Sequence, residues 1–318
     1  MLNAGHMRKL AWTTVGFTYL LMVWGNLVSA TGSGLACPDW PLCHGTIAPG
    51  LRPEVILEWG HRLLAFTASC LIFTTIYKVL RTSHPDSVLR RSGMSMLGLL
   101  ILQILLGATT VLLGLSPTVS TIHLVIANIV FGGLITVACV VTWGNPVVAT
   151  PTAEAKSAAS KLRLLALSAL AGMIVQLALG ALVRHTHSGL ACSQFPNCLD
   201  QFLPIPLTFQ TALAFLHRWW GFALMGLFFH MLGVAKEVPG LHRASGNAFK
   251  LALAQIFLGI GTVMTGLNTH TRASHAAIGY ALWGTTFYIV IRSGGLRWLW
   301  DRTARVPQPV VEGHSVPV

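Results

Sequence analysis

Four histidines occur as two matched pairs, and histidine is the side chain that most often binds a metal in proteins. His61 and His123 lie in the first half of the chain, and His217 and His275 lie at matching places in the second half. Two neutral imidazoles can bind one metal ion from opposite sides. Each half of the chain therefore carries the ligands for one such site.

The matched histidines belong to an internal duplication. The stretch Gly34 to Cys43 (GLACPDWPLC) recurs as Gly189 to Cys198 (GLACSQFPNC), and Gln103 to Gly107 (QILLG) recurs as Gln255 to Gly259 (QIFLG). A repeat in which ligand-type residues coincide indicates where function should be sought.

Each half also carries one C-x5-C pair, Cys37 with Cys43 and Cys192 with Cys198. We expect both pairs to form disulfides, because the loops that hold them are predicted to face an oxidising compartment. A disulfide there would staple the loop, or exchange electrons with a site below it. A zinc site is the competing interpretation, because three histidines lie nearby: His44, His185 and His187. The C-x5-C spacing, however, is not the usual one for zinc ligands.

Composition indicates a membrane protein. The 318 residues are 53% hydrophobic and 9% charged, against about 25% charged in an ordinary soluble domain. Eight apolar stretches approach or exceed the length of a spanning helix. They run from about 10 to 30, 56 to 77, 93 to 115, 119 to 143, 162 to 183, 208 to 234, 248 to 267 and 273 to 291. Cys70 and Cys139 fall inside these stretches and are predicted to be core residues.

The basic residues follow the pattern of membrane topology. Sixteen of the 21 Lys and Arg fall in the two terminal tails and in the loops at about 78–92, 145–163 and 235–250. The other five lie at the opposite ends of the helices: Arg52, Arg62, Arg184, Arg218 and Arg272. The net charge of +12 therefore does not indicate a nucleic-acid partner. It predicts a multi-pass protein of the cell inner (cytoplasmic) membrane, in contact with lipid, with cytoplasmic termini and extracytoplasmic cysteine loops.

The predicted fold is an all-α integral membrane protein with eight transmembrane helices, arranged as two tandem four-helix bundles. An even number of helices per half gives both halves the same orientation, so the repeat is parallel, with a pseudo-twofold axis along the membrane normal. The first half covers 1–145, a flexible cytoplasmic linker 146–161, the second half 162–292 and a cytoplasmic tail 293–318.

Antiparallel connectivity makes the outer ends of the second and fourth helices of each half neighbours. His61 is then expected to face His123, and His217 to face His275, in the interior of a bundle. Two imidazoles on opposite sides of a flat apolar macrocycle are what bis-histidine heme ligation requires. Copper held by histidine and methionine is a weaker alternative.

Arginine follows the first histidine of each pair, as Arg62 and Arg218. We expect these side chains to contact heme propionates, because guanidinium groups pair well with carboxylates. The alternative is that they extend to the membrane interface. Several glycines allow close helix approach or leave room for a ring: Gly107, Gly132, Gly133, Gly180, Gly259 and Gly279.

The repeat is broken at Glu58, three residues before His61, because Ala214 takes the matching place before His217. A protein that only carries electrons between two hemes does not need an acid beside one of them. A reaction at the first heme could use a carboxylate as proton acceptor or to stabilise developing positive charge. A capping or ion-pairing role with Arg52 or Arg62 is the alternative.

Taken together, these residues resemble the heme A synthase family, membrane enzymes that convert heme O to heme A. The resemblance covers roughly residues 10–292. It rests on the duplicated eight-helix bundle, Glu58-Trp-Gly-His61-Arg62, His123, His217-Arg218, His275 and the outer-loop cysteine pairs.

The resemblance implies an oxidoreductase that oxidises a methyl group of heme O to a formyl group by successive hydroxylations. It implies that His61 and His123 hold the substrate heme, with Glu58 catalytic, and that His217 and His275 ligate a resident heme b. Cys37 and Cys43 also bear on activity in the family, whereas the second pair is expected to be structural.

Expected partners follow from the same resemblance. A heme O synthase would supply the substrate, and cytochrome oxidase assembly would receive the product. A homo-oligomer of this chain is an open alternative. Two other classes are open: a di-heme b-type quinol dehydrogenase or electron-transfer subunit, which would tolerate Glu58→Gln, and a transporter of parallel repeats, which would bind no heme.

Overall fold

The computed structural model describes residues 4–82, 88–144 and 147–296, and these form eight α-helices and one short 3-10 helix. The helices are α1 (Ala4–Ala30), α2 (Pro53–Thr82), α3 (Val88–Leu112), α4 (Pro117–Trp143), α5 (Ala153–His185), α6 (Phe209–Ala235), α7 (His242–Met264) and α8 (Thr269–Arg292). The 3-10 helix is Ser188–Leu190, in the second cysteine loop.

Helix contacts divide the chain into two groups of four. Each of α1 to α4 packs on its neighbour in sequence, and α1 also packs on α4; the helices α5 to α8 repeat this set of contacts. The two groups meet through α1 and α4 on one side and α5 and α8 on the other. The contact between the two groups is therefore made by helices that are first or last in their own group.

Side chains between the groups are large and buried. Trp283 of α8 is 1% exposed, and its indole Nε1 donates to the carbonyl of Asn128 on α4 at 2.7 Å. The hydroxyl of Tyr19 on α1 donates to the carbonyl of Ala277 on α8 at 3.1 Å. These hydrogen bonds fix the register of α8 against the first group.

Within the part of the chain that the structure describes, six helices, α2 to α7, are long and apolar enough to cross a membrane. The first and last helices, α1 and α8, fall short of that apolarity. Both lie where the two groups meet, and there each is covered in part by protein. A helix so placed carries polar side chains at less cost than a helix that faces lipid on all sides.

The structure differs from two sequence predictions. Residues 153–161, predicted as flexible linker, form the first turns of α5, because the Thr152 hydroxyl accepts the amide of Ala155 and the segment is rich in alanine. Cys70, predicted as a core residue, is exposed on α2, whereas Cys139 is buried. Most of the predicted tail lies beyond residue 296, outside the described residues.

Candidate functional site

The four histidines lie on the second and fourth helix of each group, as predicted. His61 is on α2 and His123 on α4, while His217 is on α6 and His275 on α8. All four are half-buried. Contacts join consecutive helices and the first helix of each group to the fourth, so α2 lies across its group from α4, and α6 from α8, and they are not the close neighbours that the sequence predicts. That the two rings of each pair face each other stays a prediction.

Each imidazole is packed against a glycine of the preceding helix. A Cβ added to Gly25 would lie 2.6 Å from Cε1 of His61, and one added to Gly180 would lie 2.8 Å from Cε1 of His217. The fourth-helix histidines show the same contact more loosely, at 3.3 Å for Gly107 with His123 and 3.4 Å for Gly259 with His275. We call these four contacts the glycine notches.

Glutamine lies beside three of the notches. The Nε2 atom of Gln176 donates to the carbonyl of His217 at 3.0 Å, and that of Gln255 donates to the carbonyl of His275 at 2.7 Å. Nε2 of Gln103 lies 3.3 Å from Nε2 of the His123 ring. The glutamines thus fix the backbone or the ring of the residues that carry the chemistry.

The histidine rings fit an iron ligand role. Nδ1 of each of the four rings is buried and has no hydrogen-bond partner. A buried nitrogen without a partner costs free energy. Coordination of a metal or a hydrogen bond to a bound group would remove that cost. Among the described residues there is no cluster of three or more His, Cys, Asp or Glu that could hold a metal ion.

Both cysteine pairs form disulfides, Cys37 with Cys43 and Cys192 with Cys198. All four cysteines are buried, and each bridge lies against the outer part of the helix that carries the first histidine of its half. Of the histidines near the loops, His44 contacts the carbonyl of Ala36 through Nε2 at 2.8 Å.

Arg62 binds the first disulfide loop. Its Nη1 donates to the carbonyls of Asp39 (2.6 Å) and Leu42, and its Nη2 donates to the carbonyl of Cys37 at 2.8 Å and to Glu58 Oε1 at 2.6 Å. A guanidinium group has five N–H bonds, so these contacts use four of them. Arg62 closes the loop over the end of α2.

Arg218 makes the matching contacts in the second loop. Its Nη1 donates to the carbonyls of Gln194 (2.8 Å) and Asn197 (3.1 Å), and its Nη2 donates to that of Cys192 at 2.9 Å. The three acceptors occupy the same loop positions in both halves. Loop contact is thus a role of the two arginines that the sequence did not reveal, and their contact with propionates stays a prediction.

Glu58 is buried, at 3% exposure, and both oxygens of its carboxylate are held. Oε1 pairs with Arg62 at 2.6 Å, and Oε2 accepts the backbone N–H of Cys37 at 2.7 Å. The ion pair with Arg62 that the sequence offered as an alternative is therefore present.

The second half builds the same loop without a carboxylate. Ala214, at the place of Glu58, is buried against Cys192 and Cys198. Since Arg218 still binds its three carbonyls there, a carboxylate is not required to form the loop. The contacts of Glu58 with the Cys37 amide and with Arg62 are therefore an addition to the loop in the first half.

The sequence holds a signal for the notches that a search for ligands misses. The spacing Gln-x-x-x-Gly occurs at Gln103, Gln176 and Gln255, and residues four apart share a helix face. The fourth notch has Leu21 in place of glutamine before Gly25. Gln176 and Gly25 were missed because the first and fifth helices carry no histidine of the matched pairs.

Gly25→Ala tests the first notch. The new methyl group would overlap the ring of His61, and overpacking costs about 1–3 kcal/mol, so we expect heme affinity at the first pair to fall about tenfold or more. The measurement is a heme titration followed by absorbance, in a His217→Ala background. Gly16→Ala on the same helix adds its Cβ to open space and is the matched control. Equal affinities for the two variants would contradict the prediction.

The first loop is expected to be sensitive to acid through Asp39. Hydrogen bonds from the backbone N–H of Gly45 and of His44, at 2.8 and 2.7 Å, hold the pKa of Asp39 below its usual value of 3.8, and Arg62 adds to the effect. A lowered pKa gives stabilisation that is complete above the usual value and is lost as the pH falls through the lowered one. We expect phosphine reduction of the Cys37–Cys43 bridge to accelerate in that acid range.

Asp39→Asn is the control for this measurement. The variant loop should be reduced faster than the wild-type loop at neutral pH and should lack the added acceleration in acid. Mass spectrometry after alkylation separates the two bridges. If the Asp39→Asn variant showed the same dependence of reduction rate on pH as the wild type, Asp39 would be excluded as the cause of the acceleration in acid.

Comparison with known proteins matches the site to one family. A model of the COX15-CtaA family, described as cytochrome oxidase assembly protein, matches residues 51–287, a stretch that contains Glu58 and all four histidines.

Relatives match over nearly full length. A protein of Geobacillus kaustophilus is 29% identical over an alignment of 323 positions, which covers 97% of this chain and 96% of the relative. One of Bacillus licheniformis is 28% identical over 288 residues (88% and 93%), and one of Symbiobacterium thermophilum is 27% identical over 290 residues (89% and 94%). All three are named heme A synthase. Because the family model matches a stretch that contains both histidine pairs, the chain belongs to the COX15-CtaA family.

Proposed function

We propose that the chain is a heme A synthase, an oxidoreductase that oxidises a methyl group of heme O to a formyl group by successive hydroxylations. The observation that carries the proposal is the pairing of histidines at two sites, each with an unpartnered Nδ1, together with a buried carboxylate at only one of them. Family membership and relatives named for this activity support it.

The two sites take different hemes in this proposal. His61 and His123 hold the substrate heme O, and His217 and His275 ligate a resident heme b. Iron in such a site supplies one-electron redox chemistry, which the protein tunes through its ligands and burial. The contribution of the chain is to place the four rings, and the glycine notches and glutamines do so from neighbouring helices.

Glu58 is the residue for which the proposal assigns a chemical role. It lies three residues, nearly one helical turn, outward of His61. Each carboxylate oxygen has two lone pairs, and the contacts to Arg62 and to Cys37 occupy one on each oxygen. A lone pair remains on each oxygen to accept a proton. The negative charge itself stabilises positive charge that develops on the substrate.

The arginines that follow the first histidines keep their predicted place at the propionate end of each heme. Because loop carbonyls take most of their donors, they act there chiefly as fixed positive charges. The disulfide loops, held by these arginines, cover the outer end of each site. Cys37 supports Glu58 directly, since its backbone amide donates to Oε2.

The arrangement in the membrane is part of the proposal. All eight helices cross the bilayer, in two bundles related by a pseudo-twofold axis along the membrane normal, with cytoplasmic termini and extracytoplasmic disulfide loops. The matching helix contacts of the two groups support it, as do the matching arginine contacts. Heme O synthase is the proposed supplier of substrate, and cytochrome oxidase assembly is the proposed destination of the product.

The decisive test is to express the chain in a membrane host that supplies heme O and to identify the extracted hemes by mass. We expect heme A to appear, with heme B present in the folded protein. Heme B alone, in folded and heme-loaded protein, would overturn the synthase and favour a di-heme electron carrier. Purified protein without heme would favour a transporter.

Glu58→Gln should reduce heme A formation by about a hundredfold or more, in the range of a lost proton-transfer group. The amide still offers an oxygen to the Cys37 amide, and heme B content should stay unchanged because the second site has no carboxylate. Ala214→Glu is the matched variant in the other half, and we expect it to leave the heme A rate within a few fold. Equal turnover of wild type and Glu58→Gln would assign Glu58 a structural role.

A further inference from the structure

Two arginines stand at the outer ends of α5 and α8 without an acidic partner. Arg184 is in the last turn of α5 and Arg272 in the first turn of α8. They lie close enough for their like charges to interact. Across the described residues, the one ion pair is that of Arg62 with Glu58.

Arg272 is placed at an electrostatic cost. The N-terminus of a helix carries partial positive charge, which disfavours a cation there. The first turn of α8 contains no acidic residue to offset that charge. The structure gives the Arg272 side chain no hydrogen bond or ion pair among the described residues.

Arg184 has a donor that is buried and unused. Its Nη2 donates to the carbonyl of Asn26 on α1 at 3.0 Å, whereas its Nε is buried without a partner. Asp200 is the only acidic residue of the sequence between 155 and 236, and its Oδ1 accepts a hydrogen bond from Gln194. Neither arginine has an acidic partner in the part of the chain that the structure describes.

Helix register places both arginines beside the second histidine pair. Arg272 precedes His275 by three residues, and Arg184 follows Gly180, the residue that packs on His217, by four. Residues three or four apart lie on the same side of a helix, about one 5.4 Å turn from each other. The two arginines are therefore carried one turn outward of the second histidine pair.

In the first half, the positions that match Arg184 and Arg272 hold no cation. The residue four positions after Gly25 is Ser29, and the residue three positions before His123 is Ser120. The hydroxyl of Ser120 is buried without a partner. The halves therefore differ in the charge above their histidines as well as in Glu58.

We propose that Arg184 and Arg272 bind the carboxylates of the group held between His217 and His275, and so retain it in the protein. This inference rests on the proposed function, in which that group is heme b and its carboxylates are the two propionates. Serines at the matching places leave the first site without this anchor, as suits a site that must admit heme O and release heme A. Arg218 has fewer free donors, because loop carbonyls take three of its five N–H bonds.

The test removes the arginine charge and the heme carboxylates separately. Full-length protein with His61→Ala and His123→Ala, so that only the second site binds, is loaded with heme b or with its dimethyl ester. Heme loss to excess apomyoglobin is then timed. With heme b, Arg272→Gln should accelerate loss about tenfold, which corresponds to about 1.4 kcal/mol. With the dimethyl ester, the wild-type arginines should give no advantage.

Three further variants complete the experiment. Arg243→Gln removes an exposed charge from α7 of the same group and should leave heme loss unchanged. Arg184→Lys should retain part of the anchor that Arg184→Gln loses, which separates charge from the packing contact with Asn26. Ser120→Arg, with His217 and His275 replaced by alanine, should slow heme loss from the first site.

The outcomes separate this inference from the proposed function. Heme b that fails to bind at His217 and His275 at all would overturn the function. Binding there with equal effects of Arg272→Gln on heme b and on its dimethyl ester would overturn only the anchor. The anchor would also be overturned if Arg272→Gln accelerated heme loss only from the first site, measured in protein in which His217 and His275 are replaced by alanine.

Discussion

The contact of an imidazole ring with a glycine backbone on the preceding helix is the constraint on which both sites depend. A Cβ on Gly25 or Gly180 would fall inside contact distance of the histidine ring. The glycine therefore lets α1 approach α2, and α5 approach α6, closely enough to fix the ring between two helices. Close approach of helices in a membrane relies on small residues for the same reason. A ligand held in this way is placed by backbone, which moves less than side chains do.

On this shared frame the halves diverge through a few polar groups. The arginine after each first histidine binds three loop carbonyls in both halves, so the disulfide loops are equivalent parts of the frame. Glu58 adds a charge to one half only, and the other half shows that the loop forms with Ala214 instead. Because the second loop forms without a carboxylate, the loop architecture alone does not require one at this place, which leaves room for the chemical role that we propose for Glu58.

Residues that recur in the sequence could be predicted, whereas the contacts that hold the loops could not. The helices that carry the four histidines, both cysteine bridges and the eight helices themselves follow from spacing and apolar length. The binding of loop carbonyls by Arg62 depends on a loop conformation more than twenty residues earlier in the chain, which no local pattern encodes. The early start of α5 was missed because the search used apolar length, while α5 begins at a capping threonine and continues through alanines and polar residues before its apolar run.

Two sites with the same pair of ligands must still hold their hemes for different times if one heme is a cofactor and the other is turned over. In the proposed function, bis-histidine ligation cannot supply that difference, because it is assigned to both sites. We infer that the difference comes from the periphery of each ring, where the proposed propionate contacts lie. At the matching helix positions there, the second half has Arg184 and Arg272, which have no acidic partner among the described residues, and the first half has Ser29 and Ser120. Unequal retention then follows from charge placement, without any change in the ligands or in the fold.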